Sequence, residues 1–263
     1  IDEAGQVSLA NLVGMSRSTK NLILMGDQMQ LGQPTQGVHP DESGTSSLDY
    51  LLGELPTIPK DKGILLPETH RLHPDICKFI STRVYEGRLK NIRVTGDRNL
   101  ILASDSSIPV TSGILYVPID HQGNEQSSEE EIVVIKQLIK DLMSAKKTDI
   151  NGASSPVSEE DLLIVAPYNH QVRNLQEGLG LKFNIGTVDK FQGRQAPVVI
   201  ISMTASDIES APRGAEFLLD RNRLNVAVTR AQSLAIIVGS PNLNLPKARS
   251  EKEMKLVNFY LDL

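Results

Sequence analysis

The 263-residue sequence predicts an α/β protein built on parallel sheets. Short apolar runs alternate with longer segments of helical spacing, which is typical of βαβ units. Val198–Met203 is an unbroken apolar run, as in a strand that is buried on both faces of a parallel sheet. Acidic residues begin the segment Glu129–Lys147 and lysines end it, which is the charge order that a helix dipole favours.

Each predicted element follows from its local pattern. The predicted strands are, in order, one that ends at Ile1, then 21–25, 64–66, 113–119, 162–166, 185–188, 198–203 and 234–238. The predicted helices are 6–18, 47–55, 74–85, 129–147, 172–179, 221–232 and 252–261. Gly, Pro, Ser and Thr predict a loop over 32–47. Prolines and charged residues at 56–63 indicate a linker, so we expect two domains, 1–60 and 61–263.

Composition excludes several classes of protein. The net charge of -5 argues against a basic protein that coats nucleic-acid phosphates. The single cysteine, Cys77, excludes a disulfide framework and a cysteine-rich metal site, and it favours a reducing compartment. No apolar run is long enough to span a membrane, so we expect a cytoplasmic protein without a membrane partner.

Polar residues stand at the predicted ends of the first two strands. Asp2 and Glu3 suit metal-assisted phosphate chemistry, in which one carboxylate holds Mg²⁺ and the other polarises a water. The alternative is that Asp2 and Glu3 are two ordinary exposed acids at a strand end. For this stretch taken alone, that alternative is slightly favoured over the functional interpretation. Gln30, after Gly26-Asp27, can touch the same water or phosphate without carrying charge. Its alternative is an ordinary turn.

Two arginines and a glycine turn complete the candidate site. Arg71, at the start of a predicted helix, and Arg230, within Arg223–Ala231, can neutralise charge on a phosphate. Gly193 permits close backbone approach to a ligand, and Thr187 can donate to a nucleic-acid phosphate. The alternatives are surface arginines and a tight turn. Five such stretches in one order are hard to obtain by accident, which favours the functional interpretation.

The five stretches resemble motifs of superfamily 1 helicases, most closely the branch of the nonsense-mediated-decay helicase. The matching segments are Asp2–Gln6 (motif II), Gly26–Leu31 (motif III), Arg71–Pro74 (motif IV), Gly186–Ser202 (motif V) and Arg223–Gln232 (motif VI). Pro167-Tyr168-x-x-Gln171 matches a further element that precedes motif V. The resemblance covers nearly the whole chain.

The resemblance implies RecA-like domains of the P-loop NTPase class, with ATP and Mg²⁺ between them and single-stranded nucleic acid across their tops. The implied roles are Mg²⁺ binding for Asp2, water activation for Glu3, γ-phosphate sensing for Gln30, γ-phosphate contact for Arg71 and Arg230, nucleotide contact for Gly193, and nucleic-acid contact for Tyr168, Gln171 and Thr187. Two nucleotide-contact positions depart from the family pattern. His70 replaces a tyrosine that stacks on adenine, and Gln195 replaces an acid that reaches ribose.

The sequence contains no Gly-x-x-x-x-Gly-Lys-Ser/Thr. We therefore expect a carboxyl-terminal fragment in which the first RecA-like domain is incomplete, the phosphate cradle belongs to a missing upstream part of the same protein, and the chain alone does not hydrolyse ATP. The leading function is an ATP-dependent helicase or translocase, with DNA favoured over RNA. The alternatives are a non-motor P-loop ATPase switch, a nucleic-acid-binding module with a decayed ATPase site, and a flavodoxin-like enzyme.

Overall fold

The computed structural model describes residues 1–32, 37, 39–244 and 250–263. Within the predicted 32–47 loop, residues 33–36 and 38 lie outside the described residues. The α-helices in chain order are α1 (Leu9–Ser16), α2 (Ser47–Leu52), α3 (Pro74–Val84), α4 (Glu129–Met143), α5 (Asn169–Leu179), α6 (Ala215–Leu218), α7 (Arg221–Val228) and α8 (Glu251–Leu261). The strands are β1 (Glu68–Thr69), β2 (Lys90–Asn91), β3 (Leu100–Ile101), β4 (Gly113–Pro118), β5 (Lys146–Thr148), β6 (Ser154–Pro156), β7 (Leu162–Val165), β8 (Asn184–Gly186), β9 (Ala196–Ser202) and β10 (Ala231–Gly239).

The central sheet confirms the predicted α/β class. Within the described residues it has five parallel strands in the order β4-β10-β9-β7-β8. Helices pack on both faces, as in a RecA-like core. A parallel pair, β1-β2, and an antiparallel sheet, β3-β5-β6, lie beside it. None of the described helices is both long and apolar enough to cross a membrane.

The core lies on the two faces of this sheet, because alternate side chains of a strand point in opposite directions. Along β9, Val198 and Ile200 pack with the apolar residues of α4 and α5. Val199 and Ile201 pack on the opposite face with those of α3 and α7. All four side chains are at most 3% exposed. Each contributes about 1.5–3 kcal/mol of burial free energy, so β9 anchors both layers.

The two predicted strands at the start of the chain are wrong. Residues 1–4 and 21–25 lie side by side through three backbone hydrogen bonds, but they form no assigned strand. The apolar side chains of the second segment are exposed, with Ile23 at 74% and Met25 at 54%. An apolar run forms a buried strand only where neighbouring strands pair with it, and these two segments pair chiefly with each other. Residues 64–66, also predicted as a strand, form none and are largely exposed.

Several predicted helices are shorter than expected, and the segments predicted over 6–18 and 47–55 form helices only over Leu9–Ser16 and Ser47–Leu52. The helix predicted to reach Lys147 ends at Met143, because residues 146–148 pair instead with β3 and β6 as the middle strand of the antiparallel sheet. The helix predicted over 221–232 ends at Val228, and β10 begins three residues later at Ala231. This early end decides where Arg230 lies.

Candidate nucleotide site

A cleft of about 370 Å³ separates the segment 24–30 from the start of α3. Side chains from both ends of the sequence line it, among them Asp27, Gln30, Arg71 and Thr229. Of the predicted site residues, Gln30 and Arg71 line this cleft, whereas Asp2, Glu3 and Arg230 are not among its lining residues.

Arg71 and Arg230 are held close to each other. Arg71 Nη1 donates a hydrogen bond of 3.3 Å to the carbonyl of Thr229, and its Nε donates to Gln195 Oε1 at 2.8 Å. Burial lowers the pKa of Arg71, and burial together with the charge of Arg71 lowers the pKa of Arg230 to about 10. Neither guanidinium forms an ion pair with any described residue. Two uncompensated positive charges at one place favour a polyanionic ligand.

Arg230 is a buried residue, so its alternative as a helix-surface arginine is wrong. Its side chain is only 3% exposed because α7 ends before it and the chain turns directly into β10. Its Nε donates to the carbonyl of Val226 at 3.2 Å, and its Nη1 donates to the carbonyl of Arg194 at 3.3 Å. Its Nη2 lies 3.5 Å from Gln30 Oε1, which is a long contact. The Nη2 group of Arg230 is thus the donor on the side of Gln30.

A hydrogen-bonded chain fixes the segment 27–30 against the helices. Gln30 Nε2 donates to Asp27 Oδ2 at 2.9 Å, and the Tyr85 hydroxyl donates to the same oxygen at 2.5 Å. Burial and the Asp27 carboxylate raise the pKa of Tyr85 well above its ordinary value, so the phenol stays a donor. Asn225 donates to the Tyr85 hydroxyl at 3.1 Å and to the carbonyl of Met29 at 2.8 Å. Asp27 therefore orients Gln30, and Asp27 is itself held by Tyr85, directly after α3, which Asn225 of α7 contacts.

Tyr85 and Asn225 are functional candidates that the sequence reasoning missed. Tyr85 follows the last residue of α3, and Asn225 stands in the otherwise apolar centre of α7 with no exposed surface. A polar residue within Leu224–Val228 was the available signal for Asn225. Nothing in the local sequence marks Tyr85.

Asp2 and Glu3 are exposed to solvent and are not among the residues that line the cleft. Asp2 Oδ1 accepts the backbone N–H of Glu3 at 3.0 Å. Glu3 has φ 50 and ψ 42, a left-handed conformation that non-glycine residues rarely adopt and that concentrates at functional sites. Its carboxylate opposes the lowering of the Arg230 pKa, so the two groups share one electrostatic environment.

The two carboxylates fit the predicted magnesium. Mg²⁺ typically takes one or two protein carboxylates and completes its shell with phosphate oxygens and water. Asp2 and Glu3 offer such a sparse, exposed donor set. The described residues hold no cluster of three or more metal-ligating side chains that would suit a metal bound by protein alone.

The three remaining nucleotide-contact candidates are placed differently from one another. Gln195 is exposed and holds Arg71 through the hydrogen bond already described. Gly193 has φ 76 and no atom within 4 Å of the position of a Cβ, so its backbone is open to a ligand. His70 is exposed but is not among the residues that line the cleft, and its carbonyl accepts from Arg98 at 3.2 Å.

The three nucleic-acid candidates lie near the carboxyl ends of β7 and β8. Tyr168 is 6% exposed, and Thr187 is half-buried. Gln171 has no exposed surface, because its amide joins the backbone of Ser128 to the hydroxyl of Ser202. The Gln171 side chain was expected to contact nucleic acid. Its burial does not fit this contact, because the side chain links the start of α4 to the end of β9 instead.

Comparisons with known proteins identify the family of the chain. The model of the AAA domain family AAA_12 matches residues 46–242. The chain is 29% identical to the Regulator of nonsense transcripts 1 homolog of Drosophila melanogaster over 273 residues, which is 100% of this chain and 22% of that protein. It is 28% identical to the ATP-dependent helicase upf1 of Schizosaccharomyces pombe over 254 residues, which is 92% of this chain and 26% of the relative.

A solved structure of the PRRSV helicase is 17% identical to this chain, with a TM-score of 0.44. The match covers 91% of this chain and 34% of the helicase chain. This structural similarity is too low to carry an argument. The chain thus spans about a quarter or less of the two curated relatives. The family match covers most of the chain. The chain therefore belongs to the AAA domain family, in the superfamily 1 branch that resembles the nonsense-mediated-decay helicases.

Proposed function

We propose that the protein containing this chain is an ATP-dependent helicase or translocase that moves on single-stranded nucleic acid. The observation that carries this proposal is the meeting of Arg71 and Arg230, without acidic partners, beside Gln30 and near Glu3. Fixed positive charges next to a water-activating carboxylate suit transfer of a phosphoryl group to water, because charge spreads over the phosphoryl oxygens in the transition state.

The proposed roles follow from these positions. Asp2 would hold Mg²⁺, which when bound neutralises phosphate oxygens, and Glu3 would polarise the attacking water. Arg230 would stabilise charge that develops on the transferred group, with Arg71 beside it. Gln30 would contact the γ-phosphate through the amide that Asp27 orients. Gly193, Gln195 and His70 would lie near the sugar and base.

The hydrogen-bonded chain through Asp27, Tyr85 and Asn225 supports a motor. Displacement of Gln30 by a phosphate would act on Asp27, which Tyr85 also binds. Because Tyr85 and Asn225 belong to the elements of the proposed second domain, occupancy of the cleft would alter the fit between residues 1–60 and 61–263. We place Tyr168 and Thr187 near the bound strand.

The test is ATP turnover and strand displacement by the full-length protein. We expect Arg230→Ala to lower kcat by about 10³-fold or more, as loss of an arginine finger does, while ATP binding stays within a few-fold. Arg230→Lys should recover little, because an ammonium does not reproduce the planar fork. Arg93→Ala, an exposed arginine without a described partner, is the matched control and should turn over normally.

Each rival function gives a different result. Normal turnover by Arg230→Ala would contradict the role proposed for Arg230. Strand binding without ATP turnover by the unmodified full-length protein would favour a nucleic-acid-binding module, and turnover without strand displacement would favour an ATPase switch. Robust Mg²⁺-dependent hydrolysis by the 263-residue chain alone would contradict the proposal that the phosphate cradle lies outside it. Duplexes with DNA and RNA loading strands would test the preference for DNA, which stays a prediction.

A further inference from the structure

Every described acceptor of the Arg71 and Arg230 guanidinium groups is an uncharged oxygen. Arg71 donates to the side chain of Gln195 and to one backbone carbonyl. Arg230 donates to two backbone carbonyls, and its Nη2 lies 3.5 Å from the amide oxygen of Gln30. A neutral oxygen orients a guanidinium without cancelling its charge, whereas a carboxylate pairs with it as an ion. Both arginines therefore keep their charge for a ligand.

The turn at the start of β9 supplies one acceptor to each arginine. The carbonyl of Arg194 accepts from Arg230 Nη1 at 3.3 Å, and the side chain of the next residue, Gln195, accepts from Arg71 Nε at 2.8 Å. The N–H of Ala196 donates to the carbonyl of Arg230 at 3.0 Å, which binds the turn to the start of β10. The two guanidinium groups thus share one support, in which Gln195 contributes through its side chain.

The main chain of Arg71 is fixed from the other side. Arg98 Nη1 donates to the carbonyl of His70 at 3.2 Å and to the carbonyl of Arg71 at 2.5 Å. The N–H of Arg71 donates to Thr69 Oγ1 at 3.2 Å. Because the backbone is held at both its N–H and its carbonyl, the direction of the side chain depends on what its tip contacts. The shortest described contact of that tip is the one with Gln195.

Gln195 has no other described role in the fold. It is exposed, and its side chain forms no further hydrogen bond with a described residue. A long exposed side chain loses rotamer freedom when it is ordered, so the bond to Arg71 is what holds it in one orientation. The family pattern has an acid at this position. An acid that took the place of the Gln195 amide would neutralise one of the two charges.

We propose that Gln195 is a positioning residue for Arg71, which it orients through an uncharged acceptor so that the guanidinium meets the terminal phosphate of ATP with its full charge. The proposal rests on the proposed function and deepens it. It assigns to Gln195 a part in the selection of a triphosphate over a diphosphate, rather than a contact with the sugar that it lies near.

The test is a double-mutant cycle in the full-length protein, measured as binding of the ATP analogue AMP-PNP and of ADP in competition with a fluorescent nucleotide. We expect Gln195→Ala to weaken AMP-PNP binding about fivefold, the scale of one hydrogen bond, and to leave ADP binding within about twofold. Gln195→Glu should weaken AMP-PNP binding about 10-fold or more, because its carboxylate pairs with Arg71.

A structural role for Gln195 would not reproduce the next result. In an Arg71→Ala background, neither Gln195→Ala nor Gln195→Glu should weaken AMP-PNP binding further, because a positioning residue acts only through the residue that it positions. Gln122→Ala and Gln122→Glu make the same changes at an exposed glutamine without a described hydrogen bond, and both should bind as the unmodified protein does.

Three outcomes would overturn the proposal. One is equal weakening of AMP-PNP and ADP by the Gln195 variants. Another is a loss that persists in full in the Arg71→Ala background. The third is a loss confined to AMP-PNP and absent with its 2′-deoxy analogue, which would show that Gln195 contacts the sugar. Because Gln195 is exposed, its variants should melt within about 2 °C of the unmodified protein, so that these losses report the site.

These failures differ from failure of the proposed function. ATP turnover by the unmodified full-length protein, with unchanged nucleotide selection in both Gln195 variants, would reject the positioning role and leave the helicase intact. Absence of ATP turnover by the unmodified full-length protein would reject the helicase itself.

Discussion

A buried polar network joins α4 to the carboxyl end of β9, and Glu131 is at its centre. The side chain of Glu131 has no exposed surface. Its oxygens accept the Ser202 hydroxyl at 2.5 Å and the backbone N–H of Thr204 at 2.9 and 3.0 Å. His121 Nε2 lies 3.1 Å from Glu131 Oε1. Thr204 has φ 72, a strained conformation for a β-branched residue, so Glu131 also holds the backbone there.

Glu131→Ala should be severely destabilising. It leaves several buried donors without an acceptor, and breaking one side of such a pair costs about 3–5 kcal/mol. In a domain of this size each kcal/mol shifts the melting temperature by about 2–4 °C. We therefore expect the melting temperature to fall by roughly 6–20 °C.

The assay is thermal melting and urea unfolding of the chain at pH 7. Glu129→Ala, an exposed acid in the first turn of the same helix, is the matched control and should cost no more than about 1 kcal/mol. Glu131→Gln keeps the shape of the side chain but turns an N–H group toward other donors. Its loss of stability should therefore lie between those of Glu129→Ala and Glu131→Ala. A Glu131→Ala chain that melts within about 2 °C of the unmodified chain would refute the reasoning.

Asn225→Ala and the acid titration of Asp161 give two further tests. Asn225→Ala removes donors to Tyr85 and to the carbonyl of Met29, so we expect a loss of about 1–3 kcal/mol in urea unfolding and faster proteolysis within residues 1–60. Burial raises the pKa of Asp161. The hydrogen bonds from Lys147 and from Ser158 outweigh this effect and hold the pKa of Asp161 below its ordinary value. Because the folded-state pKa is lowered, this stabilisation is present at neutral pH and is lost as the pH falls below about 4. Asp161→Asn should therefore lower the melting temperature clearly at pH 7 and much less at pH 3; equal losses at both would contradict this.

The sequence predicted several residues of the candidate site, but it did not predict the long-range hydrogen bonds that position them. The resemblance to superfamily 1 helicases implied that Gln30, Arg71 and Arg230 would lie together around one phosphate. The hydrogen bond between Arg71 and Gln195 spans 124 positions, and no local pattern carries it. Tyr85, which binds Asp27 across 58 positions, was missed for the same reason.

The central strands were predictable because each is buried on both faces, so its sequence is apolar throughout. The segment 21–25 looks the same in sequence, yet Ile23 is 74% exposed. An apolar run reports a tendency to be buried, whereas a strand also needs neighbours to complete its hydrogen bonds. Periodicity and composition contain no information about those neighbours.

The end of α7 shows how one local detail controls the site. A helix continued to residue 232 would have left Arg230 on a helix face, whereas the end at Val228 leaves two residues before β10. Within that turn the carbonyl of Arg230 accepts the N–H of Ala196 at 3.0 Å, and its side chain donates to the carbonyl of Arg194. Arg230 is thus tied by main chain and side chain to the turn that follows Thr187. A nucleic-acid strand that displaced this turn would move the guanidinium, so the proposed nucleic-acid and nucleotide sites would be coupled through a few residues.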